Sequence, residues 1–202
     1  MQPDFITVVS GLPRSGTSLM MQMLHAGGLP ALTDGLRTAD QNNRRGYFEY
    51  EPVKRLRSDR SWLPQARGQA VKIIHLLLRE LLLDGTLQYR IVFMQRPLEE
   101  VIASQHSMLQ RDGKAGADPT VLKKAFESQL AQLQAWLVNQ PSIRTLALPY
   151  HRVISQPQAV AEELAGFLGL PLDIAAMVQA VDPALHRQRG GATSRSPLDR
   201  EP

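Results

Sequence analysis

A short apolar run at residues 5–10, FITVVS, leads directly into Gly11-Leu12-Pro13-Arg14-Ser15-Gly16-Thr17-Ser18 and then into LMMQMLHAGG. A buried strand, a glycine-bounded turn and the start of an amphipathic helix, in that order, leave few folds open. Such a turn aims backbone N–H groups and the positive end of the helix dipole at one point, and so makes a cradle for phosphate. Gly11 and Gly16 have the spacing of a phosphate-binding loop, and Thr17 and Ser18 follow them. The lysine that nucleotide kinases and ATPases place directly after the second glycine is absent, and Thr17 stands in its place. The nearest cation is Arg14, two residues before that glycine. The loop therefore suits a phosphate ester held without the usual lysine for β- and γ-phosphates.

Three more strand signals follow: AVKIIH at 70–75, YRIVFMQ at 89–95 and IRTLALP at 143–149. Apolar strands separated by helical stretches predict a three-layer α/β fold, with a central parallel sheet flanked by helices on both faces. Pro97 predicts a helix start after residue 96, with Glu99 and Glu100 near the positive end of its dipole. Asp118-Pro119 predicts an N-cap and first helical position, opening a helix to about residue 139. Leu122, Phe126, Leu130, Leu133 and Leu137 share one face of that helix, a stripe expected to be core packing. Residues 111–118 read as a loop, and Gly169 ends a later helix before another begins after Pro171. A chain of 202 residues fits one domain, read here as 1–185. The tail at 186–202 is nearly without apolar residues and is expected to be either disordered or ordered by ligand.

Composition narrows the partners. The chain has no cysteine, so disulfides and thiolate metal sites are excluded. Its net charge of +4 suits an anionic ligand, but with 5% aromatic residues and no recognised binding motif it does not predict nucleic-acid binding. The longest apolar stretch, at 73–83, is broken by His75, Arg79 and Glu80 and is too short to span a bilayer. With a strand starting by Phe5, no leader or anchor is expected, and the predicted location is cytoplasmic. Between residues 37 and 67 stand eight basic side chains against Asp40, Glu49, Glu51 and Asp59, either a solvated surface or a rim that faces an anion.

A second anchor lies at the end of the third strand signal. Arg96 sits at the carboxyl edge where open α/β sheets bind ligands, and Ser104 is eight residues later, about two helical turns along. An arginine fork and a hydroxyl there can hold a second phosphate. The combination resembles the sulfotransferases that use 3′-phosphoadenosine 5′-phosphosulfate (PAPS). PRSGTS resembles their 5′-phosphosulfate loop, and the tyrosylprotein branch also carries arginine where cytosolic members carry lysine. Arg96 and Ser104 stand as in their 3′-phosphate motif, and residues 148–173 resemble the family's tyrosine-containing strand end and FLGLP helix ending. The resemblance covers 5–24, 89–110 and 148–173, in family order. This chain departs from it at Pro97-Leu98, where the family has Asn-Pro after the arginine, and at His151, where an acidic residue usually follows the tyrosine.

The resemblance implies sulfuryl transfer from PAPS to a hydroxyl or amine of a small-molecule or polymer acceptor, by in-line displacement and without a metal. It implies that Arg14, Ser15, Gly16, Thr17 and Ser18 hold the 5′-phosphate and that Arg96 and Ser104 read the 3′-phosphate. Arg187, Arg189 and Gly190 correspond to the late loop that closes over the nucleotide. Three residues are candidates for the base: His75, closing the second strand with Lys72 nearby; Glu49, in RRGYFEYE; and Asp34, at about the distance from the loop of the tyrosylprotein branch's glutamate. The competing readings are a P-loop small-molecule kinase, which predicts a loop lysine and acidic Mg²⁺ ligands, and a nucleotide-binding module without catalysis. The 37–69 segment and the 111–118 loop are expected to wall the acceptor pocket.

Overall fold

The computed structural model describes residues 3–36 and 48–181. Four strands, β1 (Ile6–Gly11), β2 (Ala70–Lys72), β3 (Tyr89–Gln95) and β4 (Ile143–Pro149), form one sheet in the order β2-β1-β3-β4. Every pairing is parallel, with Val9 opposite Lys72 on one side of β1 and Val92 on the other. The loop strand is therefore central, and all six of its residues are buried. The three-layer α/β arrangement expected from the strand signals is the one observed.

Side-chain alternation explains the two helical layers. Val9, Val92, Met94 and Leu148 face a core built with α1 (Thr17–Ala26), α4 (Tyr150–Ser155), α5 (Pro157–Leu168) and α6 (Ile174–Gln179). Ile6, Val8, Ile91 and Ile143 face the opposite core, which takes in Leu133 of α3 (Pro119–Leu137) and the short helical turns at Glu51–Arg55, Leu63–Ala66 and His75–Glu80. With α2 (Leu98–Arg111), α3 closes that face through Leu12, Val101, Ile102 and Phe126.

The local signals behave as their chemistry requires. Asp118 caps α3 by accepting from the Thr120 and Val121 amides, and Gly169 ends α5 in the left-handed conformation at φ 61°. Pro97 is the N-cap of α2, so the helix itself begins at Leu98.

Two expectations need correction. The second strand stops at Lys72, and His75 opens a 3-10 turn that runs to Glu80. The leucine stripe of α3 is also not all core. Leu130, Leu133 and Leu137 line a cavity of about 670 Å³ shared with Phe93 and Ile143, because α3 does not close fully on β3 and β4. The tail at 186–202, with Arg187, Arg189 and Gly190, lies outside the described residues, as do Arg37, Asp40, Arg44 and Arg45.

Candidate functional site

The loop after β1 is tightly wound. At Gly11 (φ 149°) a Cβ would fall 2.5 Å from Ser15 Oγ and 2.7 Å from the Met94 carbonyl oxygen, so no larger residue fits. The Ser15 amide donates to the Leu12 carbonyl at 3.2 Å, which folds the turn back on itself. Arg14 adopts a left-handed backbone (φ 69°), a conformation that costs a non-glycine residue about 1–2 kcal/mol. Gly16, at φ 103°, is the N-cap of α1 and offers no side chain to the helix start. The first turn of α1 thus has neither a side-chain cap nor an acidic residue, the condition under which its amides bind an anion. Thr17 and Ser18 open that turn.

Gly16 also has a packing reason. A Cβ there would lie 2.5 Å from Cδ2 of Tyr150, whose ring sits against the loop. Gly16→Ala is therefore expected to cost about 1–3 kcal/mol from strain and overlap. Its Tm in a thermal melt should fall by roughly 2–4 °C per kcal/mol. An unchanged Tm would show that the ring moves aside freely.

The two anchors meet. Arg14 Nε donates to Ser104 Oγ at 3.0 Å, joining residues 90 apart in the chain. Arg96 NH1 donates to the Arg14 carbonyl at 3.1 Å, so the second arginine braces the loop from below. The Arg96 guanidinium lies over the Tyr150 ring at 4.5 Å from its centroid. Its Nε donates to Glu100 Oε2 at 2.9 Å, in a pair whose side chains are only 7% and 8% exposed. Glu100 Oε1 in turn lies 2.8 Å from His151 Nε2. Burial works against the Glu100 charge, but the hydrogen bonds from Arg96 and His151 prevail and hold its carboxyl below the ordinary value. The pair therefore contributes stability above the usual glutamate range, and that contribution is lost as the pH falls below it. Burial pushes the Tyr150 hydroxyl up.

The three base candidates separate clearly. Asp34 is exposed, and its carboxylate accepts from the Glu51 amide at 2.5 Å and the Leu36 amide at 3.0 Å. Those backbone hydrogen bonds hold it below its ordinary value, which suits a turn anchor and makes a weak base. His75 is 3% exposed, with Nε2 at 2.9 Å from Gln129 Oε1 of α3 and Nδ1 buried without a hydrogen-bond partner. Glu49 lies at the carboxyl end of β2, its Oε1 3.7 Å from Lys72 Nζ. Its side chain is 28% exposed, and Lys72 is in register with Val9, two residues before the loop glycine. Glu49 is thus the candidate that is partly exposed and paired with a cation at the carboxyl end of β2.

The described part of the basic segment is a structural surface. Arg57 and Arg60 both grip Glu80, Lys54 pairs with Glu51, and Arg67 pairs with Asp4. Among the described residues no cluster of three metal-ligating side chains occurs, and no helix is long and apolar enough to cross a membrane. Sequence reasoning placed Glu100 only in the first turn of its helix and took His151 as a departure. The four-residue spacing of Arg96 and Glu100 is the one signal that could have paired them.

No protein-family model and no curated protein matches the sequence. Solved structures do match by shape. The sulfotransferase domain of the Synechococcus PCC 7002 olefin synthase superposes with a TM-score of 0.58 at 16% identity, covering 96% of this chain and 90% of that one. Sulfotransferase STF1 from Mycobacterium tuberculosis H37Rv gives 0.59 at 16% identity, over 89% of this chain and 71% of its own. Mouse sulfotransferase SULT7A1, solved in complex with PAP, gives 0.57 at 15% identity, over 94% and 68%. At such identities the likeness is one of fold, and the protein has the α/β fold of these sulfotransferases.

Proposed function

We propose that this protein is a sulfotransferase that moves the sulfuryl group of PAPS onto a hydroxyl or amine. The observation that carries the reading is the hydrogen bond from Arg14 to Ser104, braced by Arg96. It gathers two arginines and a hydroxyl beside an uncapped helix start, a set matched to a ligand with two separate phosphates on one nucleoside.

In the proposed reaction the acceptor atom attacks sulfur in line as the S–O bond to the 5′-phosphate breaks. The bond electrons leave with adenosine 3′,5′-bisphosphate, and Glu49 takes the acceptor's proton. The amides at Gly16, Thr17 and Ser18 and the Arg14 guanidinium stabilise the charge that develops on the leaving phosphate. Arg96 and Ser104 lie on the side where the 3′-phosphate would be read. Lys72 Nζ lies 3.7 Å from the Glu49 carboxylate and would help to hold it in place.

The test needs no acceptor. Calorimetry should show adenosine 3′,5′-bisphosphate binding about ten- to a hundredfold more tightly than adenosine 5′-monophosphate, the worth of one charge-assisted contact. Magnesium should change neither affinity by much, since no β- and γ-phosphates are there for it to bridge. Tight, Mg²⁺-dependent ATP binding with no preference for the 3′-phosphate would overturn the reading in favour of a small-molecule kinase. The expected bisphosphate preference without transfer to any acceptor in a radiolabelled-donor screen would leave a binding module.

A further inference from the structure

We propose that Glu100 and His151 are positioning residues that orient Arg96 toward a phosphate on the nucleotide ribose. The proposal rests on the nucleotide reading above and adds a feature peculiar to this chain.

Arg96 is held on three sides: by the Glu100 carboxylate at Nε, by the Arg14 carbonyl at NH1 and by the Tyr150 ring beneath its plane. A guanidinium so fixed is pre-organised, but the carboxylate at its edge also cancels much of its charge toward an incoming anion. His151 is the third member. Its Nε2 reaches the other Glu100 oxygen at 2.8 Å, while its side chain remains 45% exposed and can exchange protons with solvent.

Beside the cluster, Arg14 of the loop donates to Ser104 of α2, and burial pushes the Tyr150 hydroxyl of α4 up.

The experiment measures the affinity ratio of adenosine 3′,5′-bisphosphate to adenosine 5′-monophosphate in wild type, His151→Ala and His151→Gln. Glutamine keeps an N–H donor for Glu100, whereas alanine removes it. A phosphate monoester takes up its own proton near about pH 6, so the three proteins are compared at one pH. His151→Ala should lower the ratio about three- to tenfold, a range that allows for solvent screening, and His151→Gln should keep most of the wild-type value. Equal ratios in the three proteins, with the preference itself intact, would overturn the positioning role alone. A wild-type ratio near one would overturn the nucleotide reading, and this proposal with it.

Discussion

Arg14→Ala is expected to lower the turnover of sulfuryl transfer by about two to three orders of magnitude, the usual cost of losing one pre-organised transition-state donor. The guanidinium joins the loop to α2, with Nε on Ser104. Its backbone is held left-handed and its carbonyl is clamped by Arg96, so strain and bracing together set its direction. Alanine removes the charge but keeps the carbonyl that Arg96 needs, and the fold should survive. Ser104→Ala, which loses one neutral hydrogen bond, should cost far less, on the order of tenfold. Turnover of Arg14→Ala within about threefold of wild type would show that the arginine only shapes the turn.

Glu49→Gln should reduce turnover by about 10²–10⁴ while leaving bisphosphate affinity unchanged, since a general base acts on the acceptor and not on the donor. The carboxylate is partly exposed and sits beside the Lys72 ammonium at the carboxyl end of β2. Asp34→Asn is the control. That side chain is spent on the Glu51 and Leu36 amides, and its loss should be felt in a melting curve more than in kcat. His75→Gln is the rival arm, because its ring is buried against Gln129. Full activity in Glu49→Gln with loss in His75→Gln would move the base to His75, at the start of the 3-10 turn that runs to Glu80.

Much of the scaffold was legible from local chemistry. Four apolar runs marked the four strands, Asp118-Pro119 marked the start of α3, and Gly169 marked the end of α5. These are decisions taken within a few residues: a proline without an amide, a carboxylate that reaches a free N–H, a glycine at positive φ. The glycine spacing of the loop belongs with them. Gly11 and Gly16 are needed because Ser15, Met94 and Tyr150 leave no space for a Cβ.

The same reasoning extended one strand too far at His75. Residues 73 and 74 are as apolar as those before them, and hydropathy does not report where pairing with β1 stops. It also took the whole leucine stripe of α3 for core, because a helical face shows what can be buried and not whether a neighbour covers it.

From residue order alone came the layers of the fold, the helix ends and the glycine-bounded turn, since backbone preference and hydrophobic period act over short range. That Arg14 meets Ser104, that Arg96 is locked between Glu100 and Tyr150, and that Glu49 pairs with Lys72 while Asp34 anchors the Glu51 amide were settled by tertiary structure. Each of these contacts depends on strand order and on the rotation of one helix against another. No short stretch of chain encodes either, because both emerge only when the two cores pack against the sheet.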